Sequence, residues 1–144
     1  MGRSMFRLHR HCVFCNINKE LGFNIVYEDD TLIAFHDRAP AGAMHLLVVP
    51  RKHIGSVKEL SSQHVELVSS MMDLGKRLLV ELGQDPAKAR IGFHRPPFTS
   101  VRHLHMHFIV TPFKSRFRSL KYQPGRRWYM DAVDLLEVLK AHQK

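Results

Sequence analysis

The sequence predicts an α+β fold, in which an antiparallel sheet of about five strands packs against one long helix and a C-terminal helix. Three observations carry this prediction. Short apolar segments are separated by Pro, Gly and Asp residues, which is typical of strands and turns. One long segment in the middle of the chain and a shorter one near its end have apolar residues at helical spacing. The strands lie before and after the long helix, and this order favours antiparallel pairing.

Length and charge limit the domain organisation. The 144 residues are enough for one domain with its own core, so we expect a single domain at residues 12–144, with a C-terminal extension, after a basic flexible arm at residues 1–11. The formal charge of +9 favours an anionic partner such as a nucleotide or a polynucleotide. The longest apolar run, residues 46–49, cannot span a bilayer, and no apolar secretion signal begins the chain. We therefore expect no membrane partner and a location in the cytoplasm, with the nucleus as a second compartment.

The first three strands are predicted between residues 25 and 50. Residues 25–28 and 31–36 are typical of two strands joined by the acidic turn Asp29–Asp30. A loop containing Pro and Gly follows at residues 37–42. Residues 45–50 then form a buried strand, which ends at Pro50 because proline cannot donate to a ladder.

One long helix and two later elements complete the secondary structure. Ser61 or Ser62 can cap the helix, and Gly83 can end it. A strand is predicted at residues 88–93, a loop at residues 94–100 because it holds two prolines, and a short helix beginning at Asp131. We expect the methionines Met71 and Met72 to fill the core. The apolar positions of the long helix are Val65, Val68, Met72, Leu79 and Leu82.

The whole chain is organised around residues 101–110, where three histidines alternate with apolar residues. In a strand, His103, His105 and His107 would share one face and line one groove, with neighbours about 6.6 Å apart. Their apolar neighbours would face the core. Imidazole has an ordinary pKa of about 6.5, so it can act as nucleophile, donor or acceptor near neutral pH. Three imidazoles at this spacing predict a site of chemistry on this strand.

Two further features allow more than one interpretation. Cys12 and Cys15 form a Cys-x-x-Cys pair, which is typical of a metal half-site or a redox pair. Two histidines would complete a tetrahedral zinc site, although free thiols in a reducing compartment fit as well. The basic tract at residues 114–127, with Trp128 and Tyr129 beside it, could contact a phosphate backbone or form a solvated face.

The histidine stretch resembles a known signature. His103-Leu-His-Met-His-Phe-Ile resembles the signature of the histidine triad superfamily, and the likeness covers residues 12–110, including residues 33–37 and 45–54. Within the superfamily the chain looks like the Hint branch, and most like its third animal type, which is related to aprataxin. The resemblance implies a histidine-triad-like fold and a homodimer that pairs the long helix and extends the sheet. It also implies a nucleoside phosphoramidase, which cleaves a P–N bond to release AMP through an AMP-histidine intermediate.

The resemblance also implies roles for individual residues. His105 would be the nucleophile, with His107 on the phosphate oxygens, Ser100 on the leaving group and His103 as the third member of the triad. The carboxylate of Asp37 would receive the ribose hydroxyls. No cofactor would be required for catalysis, although Cys12, Cys15, His53 and His103 would be the ligands of a structural zinc. The implied nucleotide-binding residues are Phe14, Ile17, Phe35, His36, Asp37, Arg38, His45, His105 and His107.

One departure and two rival functions follow from the same comparison of motifs. The better-known Hint members have an asparagine in the loop before the histidines, whereas this chain has His94 and Arg95, which could replace that contact electrostatically. The first rival is the removal of AMP from nucleic-acid ends, as aprataxin does. The second is a nucleotide-binding scaffold without catalysis, against which the presence of all three histidines, Ser100 and Asp37 argues.

Overall fold

A computed structural model describes residues 11–142 of the chain. Its centre is a six-stranded antiparallel sheet with the order β1-β2-β3-β5-β4-β6. The arm predicted at residues 1–11 lies outside the described residues, apart from His11. The strands are β1 (Ile25–Glu28), β2 (Leu32–His36), β3 (Gly42–Pro50), β4 (Ala89–His94), β5 (Met106–Phe113) and β6 (Tyr129–Asp131), and the α-helices are α1 (Val65–Glu81), α2 (Arg116–Lys121) and α3 (Ala132–Ala141).

The predicted hairpin is confirmed, and Asp29 holds its turn. Its Oδ1 accepts hydrogen bonds from the backbone N–H groups of Thr31 and Leu32, each at 2.7 Å. β2 then pairs with β3, which places Phe35 opposite Leu47 on one face of the sheet. These two buried side chains pack with Phe14 and Phe23, so this face carries an aromatic cluster.

The long helix is also confirmed. The hydroxyl of Ser61 caps the single 3₁₀ turn that leads into α1, and it accepts from the N–H of Gln63. Met71 and Met72 are buried in the core, as predicted. Leu82 is 39% exposed, contrary to prediction, because α1 ends at Glu81 and the chain turns away from the core at the residue that follows Leu82. The residues of α1 that the core buries are Val65, Val68, Met71, Met72, Leu74, Gly75, Leu78 and Leu79.

The core lies between one face of the sheet and the helices α1 and α3. Leu104, Met106 and Phe108 belong to this core, which confirms the predicted apolar face of the histidine stretch. A side chain at Gly75 would overlap the ring of Phe108, so the absence of a Cβ lets α1 lie directly on β5. The opposite face of the sheet carries Leu47 and His107, which are paired in the register of β3 and β5.

The prediction that all three histidines lie on one strand is wrong. β5 begins at Met106, so His103 and His105 precede it. The partner strand β3 ends at Pro50. The backbone next to His103 pairs instead with the segment after β3, because the N–H of Leu104 donates to the carbonyl of Ile54 at 2.6 Å. The chain therefore bends between His103 and Met106, and the side chains of His103 and His107 enter different sites.

Two elements lie in and beside the basic tract, and neither of them was predicted. α2 occupies part of the tract at residues 114–127, and β6 adds a sixth strand beside β4. β6 has three residues and α2 has six, so neither is long enough to show a clear hydrophobic period. Between His11 and His142, no helix has both the length and the apolar character needed to cross a membrane.

Candidate active site

A cavity of about 400 Å³ opens on the face of the sheet opposite α1, and His105 and His107 lie in its wall. Of the residues predicted to bind nucleotide, Phe14, Phe35, His36, Asp37 and Arg38 also border it, as does Ser100. Ile17 and His45 do not border the cavity. Ile17 packs against the aromatic cluster, and His45 is buried beneath His107.

Hydrogen bonds determine the tautomers of His45 and His107. The N–H of Ala41 donates to Nδ1 of His45 at 3.0 Å, so that nitrogen carries a lone pair and the His45 proton is on Nε2. This Nε2–H donates to Nδ1 of His107 at 2.9 Å, which leaves the His107 proton on Nε2. Within residues 11–142, the Nε2 of His107 is buried and has no hydrogen-bond partner. An unpaired buried donor costs about 1–3 kcal/mol, so an acceptor oxygen on a ligand would be stabilised here.

His105 has the opposite arrangement. Its Nδ1–H donates to the backbone carbonyl of His103 at 2.6 Å, so Nε2 carries a lone pair. Its ring centroid lies 5.0 Å from that of His107. A nitrogen lone pair and an N–H donor therefore lie side by side in one cavity. The lone pair of His105 can attack an electrophilic centre, and the N–H of His107 can stabilise a negative oxygen on it.

Burial keeps the histidines of this site neutral. It lowers the pKa of His105, His107 and His94 below the ordinary value, and it lowers the pKa of His45 to about 4, although the nearby carboxylate of Asp37 opposes part of that shift. A neutral imidazole has the lone pair that a nucleophile needs. The site can therefore act as nucleophile and donor at neutral pH without a proton having to be removed first.

Asp37 follows β2 and borders the cavity. Its Oδ1 accepts from the N–H of Ala39 at 2.8 Å, and its Oδ2 lies 3.5 Å from Nε2 of His45. A carboxylate has about four acceptor positions, so Asp37 retains capacity for two hydroxyl groups of a ligand. Asp37, His45 and His107 are also close enough to share a metal ion. Both ring nitrogens of His45 are already engaged, however, so this set does not fit a metal.

One end of the cavity is aromatic and apolar. The ring of Phe14 lies 5.4 Å from that of Phe35 and 6.4 Å from that of Phe23, and all three contacts among these rings are edge-to-face. The ring of Phe14 also lies 5.2 Å from His105. Leu47 completes this end. Such a surface suits a flat heterocycle, because aromatic rings provide a large apolar area with a defined geometry.

The other end of the cavity is formed by residues that the sequence did not predict. Tyr122 is buried, and its ring lies 5.1 Å from His107 and 4.8 Å from His94. Burial raises the pKa of Tyr122 to about 12, so it remains a neutral phenol. Arg118 and Lys121 also border the cavity, which shows that part of the basic tract is a wall of the site. An aromatic residue within a basic stretch was the only feature that could have indicated this wall.

His94 lies where the loop departs from the better-known pattern. Its Nε2–H donates to the carbonyl of Lys121 at 3.0 Å, so its Nδ1 carries a lone pair. Its ring centroid lies 5.0 Å from that of His107. His94 therefore connects the end of β4 to the C-terminal wall of the cavity, whereas Arg95 does not border the cavity.

The four predicted zinc ligands lie together in a second site. Nδ1 of His103 lies 3.3 Å from Sγ of Cys12 and 3.5 Å from Sγ of Cys15, and Nδ1 of His53 lies 3.2 Å from Sγ of Cys15. All four donor atoms lie within 4.8 Å of one another. Sulfur and nitrogen ligands of tetrahedral zinc are about 3.5 Å apart, from bonds of about 2.3 and 2.0 Å. The donor set and its spacing therefore fit zinc.

An outer contact of the second site supports the same interpretation. Nε2–H of His103 donates to the carbonyl of Pro50 at 2.7 Å, which leaves the Nδ1 lone pair directed at the sulfurs. Metal-binding histidines usually have such a partner on the other ring nitrogen. His103 thus reaches both sites, with its side chain in the cysteine cluster and its carbonyl on His105.

Comparisons with known proteins identify relatives of this chain. A model of the family described as scavenger mRNA decapping enzyme C-term binding matches residues 11–123. The adenosine 5'-monophosphoramidase HINT3 of Xenopus tropicalis is 39% identical over 134 residues, which are 90% of this chain and 88% of that protein. HINT3 of Mus musculus is 40% identical over 135 residues, which are 90% of this chain and 82% of that protein.

A solved structure decides the family. The structure of a histidine triad protein from Clostridium difficile is 31% identical to this chain, covers 74% of this chain and 95% of that one, and has a TM-score of 0.68. The chain belongs to the histidine triad family. In this member of the histidine triad family the three histidines are divided between two sites. His105 and His107 border the cavity, whereas the side chain of His103 lies in the cysteine cluster.

Proposed function

We propose that this protein is a nucleoside 5'-monophosphoramidase, which hydrolyses the P–N bond of AMP joined to an amine such as lysine. One observation carries the proposal: the Nε2 lone pair of His105 lies beside the unpartnered Nε2–H of His107 in a cavity with an aromatic end. Relatives that carry the name adenosine 5'-monophosphoramidase support it, since two of them are 39% and 40% identical to this chain.

The nucleoside would bind from the aromatic end inward. The base would lie among Phe14, Phe35 and His36, and the ribose hydroxyls would donate to the carboxylate of Asp37. Arg38 lies beside them at the cavity wall. This placement brings the phosphorus to the two histidines, and His107 would then donate to a phosphate oxygen. His45 would donate to Nδ1 of His107 and so keep the His107 proton on Nε2, which faces the ligand.

In the first step, the lone pair on Nε2 of His105 forms a bond to phosphorus as the P–N bond to the amine breaks. The bonding pair stays on the leaving nitrogen, which receives a proton from solvent water through the hydroxyl of Ser100. Positive charge develops on the His105 ring, and the carbonyl of His103 stabilises the Nδ1–H there. His107 stabilises the negative charge on the phosphate oxygen.

In the second step, water attacks the phosphorus of the AMP-histidine intermediate. The bond from phosphorus to Nε2 breaks, and its electron pair returns to His105 as the neutral lone pair. The proton released by the attacking water neutralises the hydroxide left by the first step. The sum of both steps consumes one water and releases AMP and the free amine. Two displacements with a good leaving group each have lower barriers than one displacement by water.

We also propose a structural zinc held by Cys12, Cys15, His53 and His103, whose donor atoms have the spacing described above. Zinc here would join the 3₁₀ turn Val13–Asn16 to the segment after β3 and contribute to folding. The closed set of four ligands leaves no position for substrate, so catalysis would need no metal.

The function is tested with two substrates. Purified protein is incubated with AMP-lysine phosphoramidate and, separately, with adenylated nicked DNA, and released AMP is quantified. We expect turnover of the phosphoramidate, and rapid acid-free quenching followed by mass spectrometry should locate AMP on His105. In His105→Ala we expect no release of AMP, and His142→Ala, changed at an exposed histidine after α3, serves as the control for it. Release of AMP from the DNA alone would favour the nucleic-acid function, and tight AMP binding without any turnover would favour the scaffold.

The homodimer stays a prediction. α3 packs against α1, and β6 lies along β4, so any pairing through the long helix must use the part of α1 that α3 leaves uncovered. Val80, which is 61% exposed near the end of α1, lies on a solvent-facing part of that helix. Sedimentation velocity of wild type and Val80→Asp would test this surface, since a charge there should shift a dimer toward monomer.

A further inference from the structure

We propose that a second, apolar cavity beside the active site binds the leaving amine of the substrate, and that it selects amines with a flat aromatic body. This inference rests on the proposed function and specifies its substrate class. The cavity has a volume of about 310 Å³ and is lined by His94, Phe98, Phe117, Leu120, Lys121 and Trp128. That volume is enough for a single aromatic ring with a short linker.

The two cavities are continuous. His94, Phe98 and Lys121 border both of them. Ser100, which would assist the leaving nitrogen, lies on the same loop as Phe98 and borders the main cavity. A substituent on the leaving nitrogen can therefore pass from the main cavity into the apolar one.

The order of rings along the main cavity determines which part of the substrate reaches the apolar one. Phe14 lies 5.2 Å from His105, His105 lies 5.0 Å from His107, and His107 lies 5.0 Å from His94. With the nucleoside at the Phe14 end and the phosphorus at the two catalytic histidines, His107 contacts a non-bridging oxygen of the phosphate. In-line attack by His105 requires the leaving amine to lie on the far side of the phosphorus from His105, which is toward the His94 end.

The walls of the apolar cavity are aromatic and held in place. The indole N–H of Trp128 donates to the carbonyl of Leu120 at 2.9 Å, which fixes the ring plane against α2. The ring of Phe98 lies 6.3 Å from that of Trp128 in an edge-to-face arrangement. Phe98 is 51% exposed and Phe117 is 75% exposed, although both are large apolar side chains. Exposed aromatic residues grouped around one concave surface indicate a ligand that covers them.

The chemistry of these walls favours a flat apolar group over a charged one. Aromatic rings stack on other rings, and the cationic Lys121 at the border would repel a protonated second amine, such as the one in lysine. A leaving amine with an aromatic body therefore gains contacts that a compact amine lacks. If about 60 Å² of ring surface is buried at the usual free energy per unit area, kcat/KM rises about tenfold.

The test compares two substrates that differ only in the ring. The substrates are AMP 2-phenylethylamide and AMP ethylamide. The phenyl ring slightly lowers the basicity of its amine, but this intrinsic difference is the same for every variant. The change in the ratio between wild type and a variant therefore reports on the cavity. We expect wild type to hydrolyse the phenylethyl compound with about tenfold higher kcat/KM. In Phe117→Ala this ratio should fall to about two- or threefold, because the most exposed wall of the cavity is removed. Val138→Ala, which truncates an exposed apolar side chain on α3, should retain the wild-type ratio.

Each outcome bears on one proposal. A wild-type ratio near one, or a ratio unchanged by Phe117→Ala, would overturn the amine-binding cavity and leave the phosphoramidase function standing. A Phe117→Ala protein that changes its sedimentation but not its ratio would show a contact between copies of the chain instead, which also overturns the proposal. If wild type cleaves neither compound, the proposed function fails. Calorimetry then decides on the cavity, since tighter binding of the intact phenylethyl compound, lost in Phe117→Ala, would support it and equal binding would refute it.

Discussion

Acid should destabilise this protein through His45, and the structure sets the size of the effect. His45 is buried beneath the active site, between the N–H of Ala41 and the ring of His107, and burial lowers its pKa to about 4. In the unfolded chain the pKa of histidine is about 6.5. Between these two values the unfolded state binds more protons than the folded state, so stability is complete above about pH 6.5 and falls as the pH falls toward about 4.

The magnitude follows from the two pKa values. At about pH 5, nearly all unfolded chains carry a proton on His45 and few folded chains do, which lowers the free energy of unfolding by about 2 kcal/mol relative to pH 7. The loss reaches about 3 kcal/mol at still lower pH. Urea denaturation at the two pH values measures it. In His45→Gln the difference between the two pH values should be smaller than in wild type by about 2 kcal/mol.

The other titrating residues are common to both proteins, so the comparison reports on His45 together with its effect on His107, whose pKa is lowered by burial and also by His45. His107 and Asp37 lie next to it and are unchanged in the variant, and so is the cysteine cluster. His142→Gln, which alters an exposed histidine after α3, should behave as wild type. An equal loss of stability in wild type and His45→Gln would refute this reasoning. If His45→Gln does not fold, NMR titration of the His45 ring in wild type gives the same answer, since a ring that is protonated at about pH 5 contradicts a pKa near 4.

Three further predictions address the proposed sites. His105→Ala should abolish AMP release while calorimetry still detects AMP, because the nucleophile is removed and the His107 donor remains; retention of most of kcat would refute the mechanism. Asp37→Ala should raise KM more than it lowers kcat, and should lose the preference for riboside over 2'-deoxyriboside substrate; an unchanged preference, matching an Asp30→Ala control, would contradict the ribose contact. Cys15→Ser should lower the metal content measured by elemental analysis from about one zinc per chain, and the melting temperature should fall with it; a wild-type protein with no metal, whose melting temperature chelators leave unchanged, would remove zinc from this account.

Local patterns in the sequence were sufficient for several elements. The hairpin at Asp29, the helix α1 and the core side of Leu104, Met106 and Phe108 depend on the spacing of apolar residues and on turn residues, which act over a few positions. The histidine site and the cysteine–histidine cluster could also be predicted without a structure, because imidazoles and thiols at such spacing are typical of catalytic and metal sites. These features could be predicted since neighbouring residues alone determine them.

The sequence did not indicate the division of the histidine triad. Strict alternation predicted one strand face, but strand geometry requires a partner, and β3 ends at Pro50 before it could pair with His103. The carbonyl of Pro50 then accepts from the ring of His103 and turns it to the cysteines. A pattern of period two shows that a segment can form a strand, whereas the length of the neighbouring strand determines where the backbone pairing ends.

Only the tertiary structure determined which histidine nitrogens carry protons and which residues form the second end of the cavity. The lone pair on Nδ1 of His107 is engaged by His45, a residue 62 positions away, and the proton on His105 is placed by a bend that no local rule requires. Tyr122 and Lys121 reach the cavity because α2 folds back over β5, although their own segment has the composition of a solvated surface. The chain determines by itself which chemical groups are available, and the fold determines which of their atoms meet, because hydrogen bonds and burial act between residues that only folding brings together.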